Sequence, residues 1–477
     1  MTAAGAEPQD VAGRWTDRSV AVAGLGLSGA SAARALLALG ARVTVLDAAD
    51  SESARAQAER LTADGAAVVL GTEPALPAGC DLVVTSPGWR PDQPLFAQAA
   101  SAQVPIWGDV ELAWRLRPTE RPIPWLALTG TNGKTTAVRM LASMLQAAGL
   151  RAVAAGNVGT PLLEVVSGPY DVLALELSSF QLHWIRSMRA EAAAVLNVAP
   201  DHLDWHGSMQ AYADAKGRVY EGCERACVYN AADPQTERLV RAADVAEGCR
   251  AVGFTLGAPG PGQLGVVEGL LVDRAFGPDH RTSAEELASV DDVQPTAPHT
   301  VANALAAAAL ARAHGIPAAA VRAGLRGFRP DPHRMAHVAR VAEVDYVDDS
   351  KATNGHAAAA SLTSYASVVW LAGGLAKGAT FDDLVLRARD RLRGAVLIGK
   401  DRGLLAEALA RHAPEVPVIE IVSTETGAMD LAVRAAAGLA APGDTVLLAP
   451  ACASMDMFAH YGERGDAFAA AVRGLRA

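Results

Sequence analysis

Residues 129–136, with the sequence TGTNGKTT, carry the strongest chemical signal in the chain. They follow the apolar run WLALT and precede a helical pattern, which predicts a turn between a strand and a helix. Glycines in such a turn let backbone N–H groups surround phosphate oxygens, while Lys134 adds positive charge and Thr135 or Thr136 offers a hydroxyl to Mg²⁺. Leu128 stands where a strict Walker A motif has glycine. The segment is therefore a shortened P-loop that predicts binding of a nucleoside triphosphate; an ordinary glycine-rich turn is the alternative.

A carboxylate and a lysine downstream of this loop predict a metal site. Glu176 lies in the otherwise apolar run VLALELSSFQL, where a buried charge needs a cation; a buried pair with arginine is the alternative. The segment DHLD at 201–204 adds hard ligands, which suggests Mg²⁺. Lys216 as an ordinary, positively charged lysine would repel the metal, but a lysine carbamylated by CO₂ is a carboxylate and could bind it. A solvated surface lysine is the alternative.

A second glycine-rich turn, GLGLSG at 24–29, also joins a strand to a helix, and Asp47 ends the next strand 18 residues later. This pattern is typical of a dinucleotide site with the acidic residue on a ribose, and it also suits a second nucleotide or a sugar diphosphate. A purely structural turn remains an alternative. The tripeptide SPG at 86–88 ends another strand, at the sheet edge where ligands usually bind; a simple turn is the alternative.

Three loops near the C-terminus also follow strands. They are DDSKATN at 348–354, GGLAKG at 373–378 and the end of LLAPACASMDMF at 447–458. Each is explained by a simple βα loop, but together they favour one shared site at the carboxyl edge of a sheet. His299 and Asn303 lie four residues apart on one face of an alanine-rich helix and could reach a base or phosphate; helix capping by His299 is the alternative.

Lysine is rare in this chain, which makes each lysine informative. Of 42 basic residues only five are lysines. Arginine serves where a positive charge is enough, so a retained lysine indicates a need for a compact charge or a primary amine. The five positions are Lys134, Lys216, Lys351, Lys377 and Lys400.

These segments require alternating strands and helices. Short apolar runs near 66–70, 81–86, 368–374, 394–399 and 444–450 are separated by helical patterns, which predicts an α/β protein with parallel sheets. We predict three domains: an N-terminal Rossmann-like domain at 1–112, whose first ~12 residues form a flexible tail, a central P-loop domain at 113–329, and a C-terminal Rossmann-like domain at 330–477.

Composition excludes several classes of protein. The formal charge of −10 argues against general nucleic-acid binding, and 51% hydrophobic residues argue against disorder. No apolar stretch approaches the ~20 residues of a membrane helix, and no secretory signal is visible at the start. Five scattered cysteines lack zinc-type CxxC pairs, so we expect a reduced, cytoplasmic protein. Cys452 is interpreted as a packed small residue rather than a nucleophile.

Taken in order, the segments resemble the Mur ligase family across nearly the whole chain. The matching segments are GLGLSG, SPG, TGTNGKTT, LELSSFQL, DHLDWH, the Lys216 helix, HTVAN, HR at 333–334, DDSKATN, GGLAKG and PACASMDMF. LELSSFQL, DDSKATN and PACAS are most similar to the glutamate-adding branch. The resemblance implies ATP-driven amide formation between UDP-N-acetylmuramoyl-L-alanine and D-glutamate through an acyl phosphate and a tetrahedral intermediate. It also implies a cytoplasmic monomer that handles small molecules, in peptidoglycan precursor synthesis.

The resemblance further implies roles for individual residues. ATP would contact Gly130, Thr131, Asn132, Gly133, Lys134, Thr135, Thr136, Asn303, Arg334 and Asp349. Two Mg²⁺ ions would be held by Thr135 or Thr136 with Glu176, and by His202 with carbamylated Lys216, and the catalytic set would be Lys134, Glu176, His202 and Lys216. The UDP-linked substrate would contact Leu27, Ser28, Asp47, Gly88, Asn157 and Ser178. D-glutamate would contact Lys351, Thr353, Lys377, Ser454, Met455 and Tyr461.

Two positions depart from the family pattern. Thr300 replaces the asparagine that usually follows His299, and Leu375 stands where some members have aspartate. Lys400 has no role in these motifs and is expected at the surface. Two other functions compete: a folylpolyglutamate synthase-like ligase, which would not need the module at 18–110, and an NAD-dependent oxidoreductase, for which no hydride-transfer residues are found.

Overall fold

A computed structural model describes residues 15–277, 279–423 and 427–475. The predicted N-terminal tail therefore lies outside the described residues. The chain divides into two compact units, one with residues up to Ser289 plus Asn303–Gly327, the other with Val290–Ala302 plus residues from Phe328 onward. The described residues form three sheets, which confirms the predicted α/β class. The boundaries at 112 and 329 stay predictions.

The first unit begins with a five-stranded parallel sheet in the order β3-β2-β1-β4-β5. Its strands are β1 (Ser19–Ala23), β2 (Arg42–Asp47), β3 (Ala67–Leu70), β4 (Leu82–Thr85) and β5 (Ile106–Gly108). Its helices are α1 (Leu27–Ala38), α2 (Glu52–Ala63), α3 (Pro94–Ser101) and α4 (Asp109–Leu116). The central strands β1 and β4 are almost wholly buried because helices cover both faces of a parallel sheet.

The second sheet of this unit has nine strands in the order β14-β13-β12-β11-β10-β9-β6-β8-β7. They are β6 (Trp125–Thr129), β7 (Ala152–Gly156), β8 (Val172–Glu176), β9 (Ala192–Val195), β10 (Ala226–Asn230), β11 (Arg250–Phe254), β12 (Gln263–Val267), β13 (Leu270–Asp273) and β14 (Glu285–Ser289). Strands β6 to β12 pair in parallel, and β13 and β14 extend the sheet in antiparallel fashion, which sequence reasoning did not predict.

The helices around this sheet are α5 (Lys134–Ala147), α6 (Leu162–Val165), α7 (Ser179–His183), α8 (Leu203–His206), α9 (Met209–Gly217), α10 (Pro234–Ala242), α11 (Pro298–Ala313) and α12 (Ala318–Gly327). The division between the units falls inside α11, after Ala302. The alanine-rich helix α11 is buried on all sides over residues 304–311. Small side chains there allow close helix packing, and Gly324 of α12 leaves no room for a Cβ against Met144 of α5.

The second unit holds a six-stranded sheet in the order β15-β16-β20-β17-β18-β19. Its strands are β15 (Ala336–Val341), β16 (Val344–Asp348), β17 (Val368–Gly373), β18 (Leu392–Ile398), β19 (Val418–Glu420) and β20 (Thr445–Leu448). Its helices are α13 (Gly355–Leu362), α14 (Asp382–Ala388), α15 (Arg402–His412), α16 (Ala428–Leu439) and α17 (Tyr461–Gly474). All strands but the antiparallel β15 run parallel, which brings the carboxyl ends of β16, β20 and β17 together at one edge.

Short 3-10 helices complete the described elements, at Trp15–Asp17, Arg218–Tyr220, Val290–Asp292 and Arg389–Arg391. None of the described helices is both long enough and apolar enough to cross a bilayer.

Candidate active site

The P-loop lies between β6 and α5, as predicted. Gly133 precedes the first residue of α5 with φ +82°, a left-handed conformation that glycine adopts without strain. The ammonium of Lys134 donates to the backbone oxygens of Gly130 and Thr131, both at 2.8 Å. Asn197, after β9, accepts from the Asn132 N–H through its side-chain oxygen at 2.9 Å. These bonds fix the loop around the space that a phosphate chain would fill.

Asn303 of α11 lies directly on this loop. A Cβ built on Gly133 would come within 2.3 Å of the Asn303 side-chain oxygen, so the P-loop backbone and the asparagine are in close contact. Both residues belong to the first unit. The structure thus brings together two of the predicted ATP contacts.

This contact predicts the effect of Gly133→Ala. We expect the apparent Kd for ATP to rise about 100-fold, because the added methyl group displaces Asn303 and strains a left-handed residue. Gly149→Ala is the matched control: Gly149 follows the same helix with φ +85°, and a Cβ there meets no atom within 4 Å. Fluorescent-nucleotide titration checks both variants, and equal losses of affinity would contradict the contact as the cause.

Glu176 ends β8, between β6 and β7 in the sheet. Its Oε1 atom accepts from the Asn157 side-chain amide at 2.9 Å. Its Oε2 atom is buried and has no hydrogen-bond partner among the described residues. A buried carboxylate oxygen left without a donor is costly unless a cation binds it. The residue therefore fits the Mg²⁺ role that the sequence predicted, and the alternative of a buried pair with arginine receives no support.

Lys216 is buried on α9 with 1% of its surface exposed, so the alternative of a surface lysine is wrong. Its Nζ donates to the Gly130 oxygen at 2.8 Å and lies 4.5 Å from the centre of the Tyr212 ring. Burial and, after it, the charge of Lys134 hold the pKa of Lys216 well below its usual range. The neutral amine is the form that reacts with CO₂, so the surroundings of this residue favour carbamylation.

His202 lies after β9 in a left-handed conformation, with φ 52°. Its Nε2 atom is 3.5 Å from the Asp201 carboxylate, and its ring contacts Phe180. Burial lowers the pKa of His202, the Asp201 charge raises it in part, and the charges of Lys134 and Lys216 lower it; the net lowering favours the neutral imidazole that binds metals. Thr135 and Thr136 are half-buried in the first turn of α5.

The first glycine-rich turn also has the predicted shape. A Cβ on Gly29 would lie 1.9 Å from the Gly24 oxygen, so the start of α1 packs directly on the turn. The Asp47 carboxylate accepts from the Leu25 N–H at 2.7 Å and thus holds this turn from the neighbouring strand. Leu27 is 72% exposed beside it, and Gly88 is exposed after β4.

A polar chain links the first sheet to the second. Ser178 caps α7, and its N–H and hydroxyl both donate to Gln181 Oε1, at 3.1 and 3.2 Å. The other end of Gln181 donates to Asp109 of α4 at 3.0 Å. Burial raises the pKa of Asp109, while hydrogen bonds from Gln181 and, more weakly, Ser28 lower it in part. The structure therefore connects Ser28 and Ser178, two residues predicted at the UDP-linked substrate, through Asp109 and Gln181.

The second unit gathers its predicted residues at the carboxyl ends of β16, β20 and β17. The loops after these strands bond to one another: Ala451 N–H donates to Ala352 at 2.9 Å, and Leu375 and Ala453 exchange backbone bonds at 2.9 and 3.0 Å. The three loops carry Lys351, Thr353, Lys377, Ser454 and Met455, and Tyr461 begins α17 beside them. Lys351 Nζ lies 3.9 Å from the centre of the Tyr461 ring.

Arg334 and Asp349 lie in this same unit. Asp349 accepts from the Met335 N–H at 3.2 Å and from the Ser361 hydroxyl. Burial raises the pKa of Asp349 to about 6, and the nearby Arg334 lowers it only in part. Arg334 itself lies 3.7 Å from Asp331.

Arg464 of α17 is a residue that sequence reasoning missed. It is fully buried, and its guanidinium donates to the Ser350 hydroxyl at 3.0 Å, the Ser350 oxygen at 2.8 Å and the Cys452 oxygen at 3.1 Å. A longer bond of 3.5 Å reaches the Gly373 oxygen. One side chain therefore joins all three loops that carry the predicted amino-acid site. No local sequence pattern indicates this role of Arg464, because the acceptors of its hydrogen bonds are 12 to 114 residues away in sequence.

Tyr212 and Asn197 were also missed. Tyr212 shares a hydrogen bond of 3.1 Å with the Thr131 hydroxyl and places its ring against Lys216. A signal for it existed, since Tyr212 and Lys216 stand four residues apart and lie on one face of a helix. Asn197 follows an apolar strand beside the P-loop strand, and that position at the carboxyl edge was its only signal.

Three family models match consecutive parts of the chain. Residues 18–108 match the MurD-like N-terminal domain of Mur ligases, residues 128–311 match the Mur ligase middle domain, and residues 333–452 match the Mur ligase glutamate ligase domain. The chain belongs to the Mur ligase family.

Two similar proteins within this family carry the same name. The UDP-N-acetylmuramoylalanine--D-glutamate ligase of Streptomyces avermitilis is 67% identical over 97% of this chain and 99% of its own length. The ligase of the same name from Thermobifida fusca is 59% identical over 96% of this chain and 98% of its own.

Solved structures support the fold. MurF ligase from Thermotoga maritima in complex with ADP has a TM-score of 0.57 at 16% identity, over 91% of this chain and 96% of its own. UDP-N-acetylmuramate-alanine ligase MurC from the same organism has a TM-score of 0.55 at 18% identity, over 96% of this chain and 99% of its own.

Proposed function

We propose that this chain is an ATP-dependent ligase that joins D-glutamate to UDP-N-acetylmuramoyl-L-alanine in peptidoglycan precursor synthesis. The observation that carries the proposal is the full-length likeness to ligases of that name, at 67% identity for the relative from Streptomyces avermitilis. The site geometry supports it, because a P-loop, an unpartnered buried carboxylate oxygen and a buried lysine meet in one unit. We place the enzyme in the cytoplasm, acting as a monomer on small molecules.

The P-loop amides and Lys134 bind the phosphate chain of ATP, and Asn303, Arg334 and Asp349 complete its contacts. Glu176 with Thr135 or Thr136 would hold one Mg²⁺, and His202 with carbamylated Lys216 would hold a second. Such ions would supply positive charge that lowers the repulsion between the γ-phosphate and the substrate carboxylate. Lys134 also lowers this repulsion, because its positive charge is held in place by hydrogen bonds of 2.8 Å to the loop carbonyls.

The substrate carboxylate takes the γ-phosphoryl group and becomes an acyl phosphate, with ADP as the product. The amino group of D-glutamate then attacks the acyl carbon, and the tetrahedral intermediate expels phosphate. Leu27, Ser28, Asp47, Gly88, Asn157 and Ser178 hold the UDP-linked substrate. Lys351, Thr353, Lys377, Ser454, Met455 and Tyr461 hold D-glutamate.

The test is an isotope experiment. UDP-N-acetylmuramoyl-L-alanine labelled with ¹⁸O in its free carboxyl group is incubated with ATP, Mg²⁺ and D-glutamate, and the products are read by mass. We expect one labelled oxygen in the liberated phosphate. Label retained wholly in the peptide would contradict the acyl phosphate. Product formed only with a folate acceptor would favour the folylpolyglutamate synthase-like alternative.

Arg464→Lys tests the amino-acid site. We expect the KM for D-glutamate to rise about 10-fold, because a single ammonium lacks the separate guanidinium nitrogens with which Arg464 reaches the Cys452 and Ser350 oxygens, and the loops lose one to two hydrogen bonds. Arg473→Lys is the control, since Arg473 is exposed on the same helix. Steady-state kinetics with each substrate varied in turn checks the result. A rise confined to the KM for UDP-N-acetylmuramoyl-L-alanine would contradict the assignment.

A further inference from the structure

Three of the five cysteines meet at the amino ends of β10 and β11, whereas the P-loop follows the carboxyl end of the parallel strand β6. Cys223 follows the 3-10 helix at Arg218–Tyr220, Cys227 lies in β10, and Cys249 immediately precedes β11. Their sulfur atoms all lie within 4.8 Å of one another. They are separated by 3 and 21 residues in sequence, which is why no metal-binding pattern was visible there.

The backbone around this thiol cluster is well fixed. Cys227 belongs to a strand paired with β11 in parallel register, and the Ala246 N–H donates to the Cys223 oxygen at 3.0 Å. The Cys249 N–H in turn donates to the Ala246 oxygen at 3.1 Å. Each cysteine is therefore held by its own backbone bonds, and the cluster is built by the fold rather than by chance side-chain positions.

The sulfur separations suit a soft metal ion. Cys227 and Cys249 sulfur atoms are 3.8 Å apart. Zn²⁺ with sulfur ligands at about 2.3 Å in a tetrahedron has neighbouring sulfurs about 3.8 Å apart. The remaining separations, up to 4.8 Å, need only a small side-chain rotation to match.

The burial of the three thiols is graded. Cys223 and Cys227 are buried, with 0% and 2% exposure, whereas Cys249 is half-buried. An ion can therefore enter from the side of Cys249, and a water molecule can complete four-coordination there, as in zinc sites with three protein ligands. Hard ions such as Mg²⁺ prefer oxygen ligands, so the cluster selects against the metal that the ligase site requires.

We propose that Cys223, Cys227 and Cys249 form a binding site for one soft divalent cation of the Zn²⁺ type, separate from the Mg²⁺ sites of the ligase reaction. On binding, each thiol gives up its proton and three metal–sulfur bonds form, with no change in oxidation state. The bound ion ties the segment before β10 to the start of β11.

The experiment uses the full-length, tag-free protein with its thiols reduced by a phosphine. Co²⁺ serves as the spectroscopic probe, and Zn²⁺ is added afterwards. We expect one Co²⁺ per chain with an intense near-ultraviolet sulfur-to-cobalt charge-transfer band, which Zn²⁺ abolishes. Co²⁺ at the oxygen ligands of the ligase site gives no such band, so the two kinds of site are distinguished.

Cys249→Ser removes the accessible thiol, and Cys80→Ser is the matched control, since Cys80 is a buried cysteine whose thiol donates to Leu82 in the first sheet. We expect the band to disappear in Cys249→Ser and to persist in Cys80→Ser, while both variants keep ligase activity. Zn²⁺ should raise the melting temperature of the wild type and Cys80→Ser by about 4 °C, and of Cys249→Ser by less than about 1 °C.

Absence of the charge-transfer band in the wild type would overturn the proposal, as would an unchanged band in Cys249→Ser. Ligase activity reports whether Cys249→Ser folds; if it does not, Cys227→Ala replaces it under the same criteria. Failure of the proposed ligase reaction would leave the cobalt result unaffected, so the two proposals are tested separately.

Discussion

Lys216→Ala is expected to lower kcat by about 10³-fold or more, because it would remove the proposed carbamate ligand of Mg²⁺ together with the buried side chain that bonds to the P-loop from α9. Lys216 is buried, and its Nζ donates to the Gly130 oxygen. A water molecule at this position would therefore not replace the charge of the proposed carbamate. Short carboxylates such as formate or acetate could take the place of the carboxylate that the carbamate would supply. We expect them to restore activity at least 10-fold, measured as phosphate release at saturating ATP and Mg²⁺.

The matched control for this prediction is Lys400→Ala, since Lys400 is an exposed lysine outside the motifs. It should retain normal turnover and show no response to formate. Wild-type protein freed of CO₂ should lose activity and regain it with bicarbonate. Near-normal turnover of Lys216→Ala would disprove the carbamate role, whereas loss without carboxylate rescue would assign Lys216 to packing of the loop.

Glu176→Gln is expected to lower kcat by about 10²- to 10³-fold and to raise the Mg²⁺ concentration needed for half-maximal rate. The change keeps the size of the side chain and its contact with Asn157, but it removes the negative charge from an oxygen that has no donor among the described residues. A cation held there is then bound by a neutral amide. Phosphate release over a Mg²⁺ series separates the two effects.

Glu164→Gln is the control, because Glu164 is exposed on α6 and its substitution removes the same charge at another position of the same unit. It should leave both kcat and the Mg²⁺ requirement unchanged. If Glu176→Gln lowers kcat without changing the Mg²⁺ requirement, its carboxylate acts on the substrate rather than on a metal ion. An increase in thermal stability of Glu176→Gln is expected in the absence of Mg²⁺, because an unpaired buried charge has been removed.

The sequence predicted which strands and loops carry the candidate site residues. Short apolar runs mark the parallel strands, and glycine, serine and acidic residues mark their carboxyl ends. The P-loop, the turn at 24–29 and the three C-terminal loops lie where this pattern predicts. The antiparallel pairing of β13 and β14 was not predicted, because glycine and proline are frequent in residues 255–300 and interrupt the strand pattern there.

Contacts between distant segments could not be predicted. The Arg464 guanidinium donates to backbone oxygens. Because every residue has a backbone oxygen, the residue types of its partners do not indicate the contact. The three clustered cysteines come together only because β10 and β11 pair in one register. The link from Asp109 to Gln181 likewise depends on how α4 lies against α7. In each case the decisive fact is a tertiary contact, whereas the motifs are local.

The support that Arg464 gives from beneath the three C-terminal loops has a consequence for engineering substrate choice. The loop backbones are held by a buried side chain, while Met455 is 56% exposed and Lys377 is exposed on their outer surface. If these loops bind the amino acid as proposed, substitutions at those outer positions would alter the shape and charge of the binding surface without moving the framework. Libraries aimed at accepting new amine donors belong at such outward-facing positions, with Arg464 and its acceptors left untouched.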